Sequence, residues 1–176
     1  MTKECLLFQS NTFVNKELNS IEKILSQAFD LCEEGDLEKA IKLYDRILKI
    51  DPNNVNALID KGVALQNLDK LKQALICFES ALKIDPKNIT ALVNKGSVLH
   101  GLGEFKKAIL SYDDAILLDK KCTMALAYKG LSLGELGSVE EALKYFKKAL
   151  RIDKDYDVAL INKQIAQNLL QKSKSV

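Results

Sequence analysis

The chain has no tryptophan, a single histidine and only two prolines. One histidine, His100, leaves no second one for a paired metal site. Few prolines and eight glycines do not make a disordered composition, and 47% hydrophobic residues suffice for a continuous core. No apolar run reaches the roughly 18 residues that a membrane helix needs. Behind Met1-Thr2-Lys3-Glu4-Cys5 the only apolar block is Leu6-Leu7-Phe8, too short for the core of a signal peptide, so a cytoplasmic protein is expected. Charge of one sign is also lacking. The balance is 26 basic against 24 acidic residues, net +2, with no basic cluster of the kind that phosphate backbones require. Nucleic-acid and membrane partners are therefore not expected. The four cysteines, Cys5, Cys32, Cys77 and Cys122, lie far apart with no Cys-x-x-Cys pair. That spacing argues against a thiolate zinc site and for free thiols in a reducing compartment.

Catalytic patterns are equally scarce. Gly101-x-Gly103 lacks the rest of a phosphate loop and follows a helical stretch, not a strand. Asp113-Asp114 and Glu140-Glu141 are adjacent pairs, which diverge by about 100° on a helix. No catalytic residue, metal or cofactor is expected, and the chain does not read as an enzyme.

What is present is repetition. Ala57-Leu58-Ile59-Asp60-Lys61-Gly62 returns as Ala91-Leu92-Val93-Asn94-Lys95-Gly96 and as Ala125-Leu126-Ala127-Tyr128-Lys129-Gly130. Ala159-Leu160-Ile161-Asn162-Lys163 is a fourth copy, with Gln164 in place of the glycine. The interval is 34 residues each time, the signature of one supersecondary unit stacked on copies of itself.

The punctuation lays out four blocks, 21–54, 55–88, 89–122 and 123–156. Each reads as two helices. In the second block Leu58, Gly62 and Leu65 mark one helical face, and Leu71, Ala74, Phe78 and Ala81 mark another. Short turns divide the helices, three with glycine at Gly35, Gly103 and Gly137, where a left-handed residue suits a helix end. Ser138 with Glu141 predicts a capping box. Asp51-Pro52 and Asp85-Pro86 close the first two blocks, whereas Lys120 and Lys154 stand at the proline position later and predict less rigid turns. Residues 157–172 predict a terminal capping helix with a polar outer face of Asn162, Lys163, Gln167 and Gln171, before a frayed tail at 173–176. Residues 1–20 match no repeat and predict an extra helix or a mobile arm.

These columns resemble the tetratricopeptide repeat. Small residues recur at Ala28, Gly62, Gly96 and Gly130, with leucine following at Leu31, Leu65, Leu99 and Leu133. The second helices align Ala40, Ala74, Ala108 and Ala142, then Tyr44, Phe78, Tyr112 and Phe146, then Ala81, Ala115 and Ala149. The family's usual tryptophan is replaced by Ile24, Leu58, Leu92 and Leu126, and Ile47 stands in a small-residue column. The resemblance covers residues 21 to about 172. It implies an all-α fold, a right-handed α-solenoid of four helix-turn-helix units plus a C-terminal capping helix. It also implies that the first helices line a concave groove for a peptide or helix of a partner protein.

On that footing the groove residues are Leu25, Phe29, Asn56, Ile59, Asp60, Val63, Val93, Asn94, Ser97, Ala127, Tyr128, Leu131, Ile161, Asn162 and Ile165, flanked by Gln66 and His100. The floor is apolar, which suits the nonpolar face of an amphipathic helix or an extended apolar segment. Asp60, Asn94 and Asn162 are placed to hydrogen-bond a ligand backbone. Some of the apolar members are equally placed to pack between neighbouring first helices. Family members that clamp a C-terminal carboxylate use cations on successive first helices. Here the matching columns offer Leu25, Phe29, Asp60, Thr90 and Asn94, or one unit on Ile59, Val63, Asn94, Met124 and Tyr128, so that mode is not expected. Lys61, Lys95, Lys129 and Lys163 form a column read mainly as solvated, with an acidic partner as the other reading. The alternative function is a self-associating module, a homo-oligomer in which residues 1–20 fill a groove. RNA binding of the pentatricopeptide kind is opposed by the near-neutral blocks.

Overall fold

A computed structural model describes residues 20–174, and all regular structure among them is helical. The extra helix or arm expected over residues 1–20 lies, except for Ser20, outside the described residues. Helix α1 covers 20–33 of the described chain. Then follow α2 (Leu37–Ile50), α3 (Val55–Asn67), α4 (Leu71–Ile84), α5 (Ile89–Gly101), α6 (Phe105–Leu118), α7 (Thr123–Glu135), α8 (Val139–Ile152) and α9 (Asp157–Lys174). The chain is a right-handed solenoid of antiparallel helical hairpins. Every helix from α2 onward packs on the next one in sequence.

The two kinds of turn are built differently. Within a hairpin, the backbone N–H three residues past the helix reaches back to a leucine carbonyl. Asp36, Lys70, Glu104 and Ser138 donate in this way to Leu31, Leu65, Leu99 and Leu133 at 2.8–2.9 Å. The residue just before each donor is left-handed: Gly35, Gly103 and Gly137 have φ near +80°, and Asp69 has φ 57°. The expected capping box does not form. Ser138 makes no side-chain cap bond, and its N–H, which Glu141 would need, is already given to Leu133.

Between hairpins an aspartate holds the turn. Asp51, Asp85, Asp119 and Asp153 each accept from the N–H two residues on, at Asn53, Lys87, Lys121 and Asp155. In the first two junctions the asparagine three residues on also binds the aspartate, then caps the next helix through Ala57 or Ala91. Cys122 stands in that asparagine column and gives α7 no side-chain cap. The turns with Lys120 and Lys154 keep the aspartate bond all the same, so proline is not what makes them.

The core follows the columns. A Cβ built on Gly62, Gly96 or Gly130 would stand 2.7 Å from the Phe78 ring, inside contact with the Tyr112 ring, or 2.6 Å from the Phe146 ring. Only a bare backbone lets the hairpin's second helix bring its aromatic that close. In the first hairpin Ala28 and Tyr44 are both buried, and Ile47 is fully enclosed where the later units carry alanine.

The terminal helix departs from expectation in two ways. It continues to Lys174, two residues beyond the expected end. Its outer face is mixed, with Gln164, Asn168 and Gln171 exposed as well as apolar residues. Ala159 and Ala166 form its buried line, and at about 100° per residue Asn162 and Lys163 flank that line while Ile161, Gln164 and Asn168 lie opposite. Asn162, Lys163 and Gln167 are half-buried, whereas Leu160, Ile161, Ile165 and Leu169 are exposed.

Candidate functional site

The curvature can be read from which helices meet. Besides the sequential pairs, α3 packs on α5, α5 on α7 and α7 on α9, while no successive second helices pack in this way. The first helices are therefore crowded together and form the inner wall.

On that wall the expected groove residues separate into three groups. Ile59, Val93 and Ala127 are buried, Ile59 keeping only an edge on the cavity described below. They belong to clusters with the next first helix: Ile59 with Ala91 and Val98, Val93 with Ala125, and Ala127 with Ala159 and Ala166. Leu25, Val63, Asn94, Ser97, Tyr128, Leu131 and Asn162 are half-buried. Phe29, Asn56, Asp60, Ile161 and Ile165 are exposed, with Phe29 at 62%. The apolar floor is thus narrower than the column arithmetic implies, because one apolar column is consumed by stacking.

The exposed members fall at the two ends of the wall, Phe29, Asn56 and Asp60 at one and Ile161 and Ile165 at the other. A cavity of about 460 Å³ is lined by Leu25, Ser26 and Phe29 of α1, Asn56, Ile59 and Asp60 of α3, and Asn88 and Thr90 at the start of α5. No lysine or arginine is among these lining residues. Burial pushes the Asp60 carboxyl above its ordinary value. Asn162, placed in the sequence for a ligand backbone, instead gives its side-chain amide to the Val158 carbonyl at 2.7 Å.

Two polar bridges link successive first helices along the wall. Gln66 Nε2 donates to Ser97 Oγ at 3.0 Å, and His100 Nδ1 lies 2.9 Å from the Oγ of fully buried Ser132. His100 also meets the Phe105 ring edge-on at 5.1 Å between centroids. Burial lowers the His100 pKa, opposed by the charge of Glu135. Ser132 was not among the sequence candidates, since it lies one position away from the Ser97 column.

Three of the four lysines in the column are already paired with an acid. Lys61, Lys95 and Lys129 pair with Asp45, Glu79 and Asp113, each sixteen residues earlier on the preceding second helix, at 2.6, 3.6 and 2.5 Å. Lys129 also donates to the Tyr145 hydroxyl at 2.9 Å and is buried. Burial pulls its ammonium down, but these bonds outweigh that, and its pKa is raised. Lys163 makes no ion pair among the described residues, and Lys147 stands where its acid would be. The signal was legible: acids recur at 45, 79 and 113 with the same period.

Among the described residues no three histidines, cysteines or acids converge as a metal site, and no helix is long and apolar enough to cross a membrane. Cys32, Cys77 and Cys122 are free thiols; burial raises the Cys77 pKa and keeps that sulfur protonated.

Models of the tetratricopeptide repeat match residues 31–93 and 93–157. No curated protein matches the sequence. Among solved structures, MamA is similar at 23% identity and TM-score 0.75, covering 84% of this chain and 81% of that one. YrrB, described as a TPR protein with an unusual peptide-binding site, is similar at 25% identity and TM-score 0.69, covering 88% and 84%. The first TPR domain of Spaghetti (RPAP3), bound to the HSP90 peptide SRMEEVD, is similar at 23% identity and TM-score 0.65, covering 69% and 96%.

Proposed function

Because the chain belongs to the tetratricopeptide repeat family, we propose that it is a non-enzymatic adaptor that holds a partner's peptide or helix against the inner wall of the solenoid. The single observation that carries this reading is the cavity between α1, α3 and α5. There a phenylalanine stands exposed beside a carboxylate and an asparagine that make no hydrogen bond among the described residues. A large apolar group left in water at the mouth of a groove marks an interaction surface. Phe29 offers apolar area, while Asp60 and Asn56 offer acceptors for a ligand's backbone N–H groups or a basic side chain. With no cation in the lining, a terminal carboxylate has nothing to pair with. One similar structure with a bound peptide and one with a peptide-binding site support protein binding as the kind of function, and the chemistry of this cavity favours an apolar segment of neutral or basic character. Three free thiols are in keeping with a cytoplasmic setting.

The test is to select dodecapeptides from a random library on the full chain and measure their affinities by fluorescence anisotropy. A Phe29→Glu, Asp60→Lys double variant alters only exposed side chains and should stay folded. The expected result is a loss of at least about tenfold in affinity, or roughly 1.4 kcal/mol. Equal affinity for both proteins would contradict the reading.

A further inference from the structure

The outer face of the solenoid carries one notch that the repeat does not explain. It lies between α6 and α8, over the start of α7, with a volume of about 570 Å³. Its apolar surface comes from Ile116, Leu117, Leu126 and Ile152, and Leu117 is 77% exposed. Lys120, Lys148 and Arg151 also line it. None of these three makes an ion pair among the described residues. The acid in the lining, Asp113, is committed to Lys129 at 2.5 Å. The Lys148 ammonium is held 4.4 Å from the centroid of the Tyr145 ring, so this cation is already positioned.

The notch is also where the copies depart from one another. Leu117 takes the place of Lys49 and Lys83, and Lys120 that of Pro52 and Pro86. Tyr145 replaces Cys77 and Ser111, while Lys148 replaces Ser80 and Asp114. Stacking asks the same of every unit, so it does not account for Leu117, Lys120 and Lys148 meeting at one place, while Tyr145 also serves the buried Lys129.

We propose that this notch is a second docking site, for a partner segment that presents a large apolar side chain beside two or more carboxylates. The apolar surface takes the side chain, and the three uncommitted cations take the acids. The site lies mainly on second helices and shares no lining residue with the cavity on the inner wall, so either can fail without the other.

The probe is a fluorescein-labelled peptide, Asp-Glu-Leu-Phe-Glu-Asp, titrated with the full chain and read by anisotropy. Saturable binding is expected, weakened at least about tenfold by Lys148→Glu with Arg151→Glu. Weakening is likewise expected for Leu117→Gln, which changes one exposed side chain. Phe29→Glu, on the inner wall, should leave binding unchanged. A counterpart peptide with lysines for the acids should not bind. Circular dichroism verifies that each variant is folded. The proposal is overturned if the acidic peptide fails to bind at about 1 mM chain. It is also overturned if Phe29→Glu abolishes binding while the notch variants do not.

Discussion

Gly96 and Gly134 both sit on first helices, yet only one of them is required. A Cβ on Gly96 would collide with the buried Tyr112 ring, whereas one on Gly134 meets nothing within 4 Å. Alanine in a helix is worth up to about 1 kcal/mol over glycine, and forced overpacking costs about 1–3 kcal/mol. Gly134→Ala should therefore raise stability, by up to about 1 kcal/mol, and Gly96→Ala should lower it by about 1–2 kcal/mol. Urea denaturation of the two variants checks both signs. His100 supplies a pH dependence. Its pKa is lower in the folded state than in the unfolded one, so the unfolded chain binds more protons below neutrality. The stability tied to the neutral ring is whole above the unfolded histidine value of about 6.5 and is lost as pH falls through the folded one. Thermal melts from pH 7.5 down to about 5.5 should accordingly fall further for wild type than for His100→Gln. Parallel curves would contradict this assignment.

At the scale of a helix, the first helices show which local rules were readable. The glycine turns were legible because a left-handed residue has few alternatives to glycine. The capping box was a false signal, since the helix-end turn at Gly137, whose Ser138 N–H donates to the Leu133 carbonyl, had already claimed the donor. The asparagine caps were present in the sequence at Asn54 and Asn88 but stood hidden behind the more familiar proline. They give a direct prediction. Cys122→Asn should restore the cap that α7 lacks and add about 0.5–1 kcal/mol to stability. Its measure is the denaturation midpoint, and an unchanged or lowered midpoint would count against the cap assignment. The face of α9 was legible only in part: Gln171 is exposed as expected, whereas Asn162, Lys163 and Gln167 are half-buried. The reason is related. The composition of the helix is mixed, and the face it buries is fixed by how it leans on α7 and α8.

For the molecule as a whole, the period of 34 carried the fold. Each hairpin repeats the same need, an apolar face too large for one unit to hide. The lysine ladder shows the limit of that reading. A column of like residues looks like a surface feature until its partners, sixteen residues back on another helix, are counted. The groove shows it again. Periodicity selects Ile59 and Val63 alike, but only the tilt between neighbouring first helices decides that Ile59 is buried and Val63 is not fully so. The central claim is that crowding of the first helices makes them the inner wall, and that this wall is the working surface. Amide chemical-shift mapping of the full chain with a library-selected dodecapeptide tests it most directly. The account predicts shifts gathered on α1, α3 and α5 around Phe29, Asn56, Asp60 and Asn94; shifts confined to the second helices would contradict it.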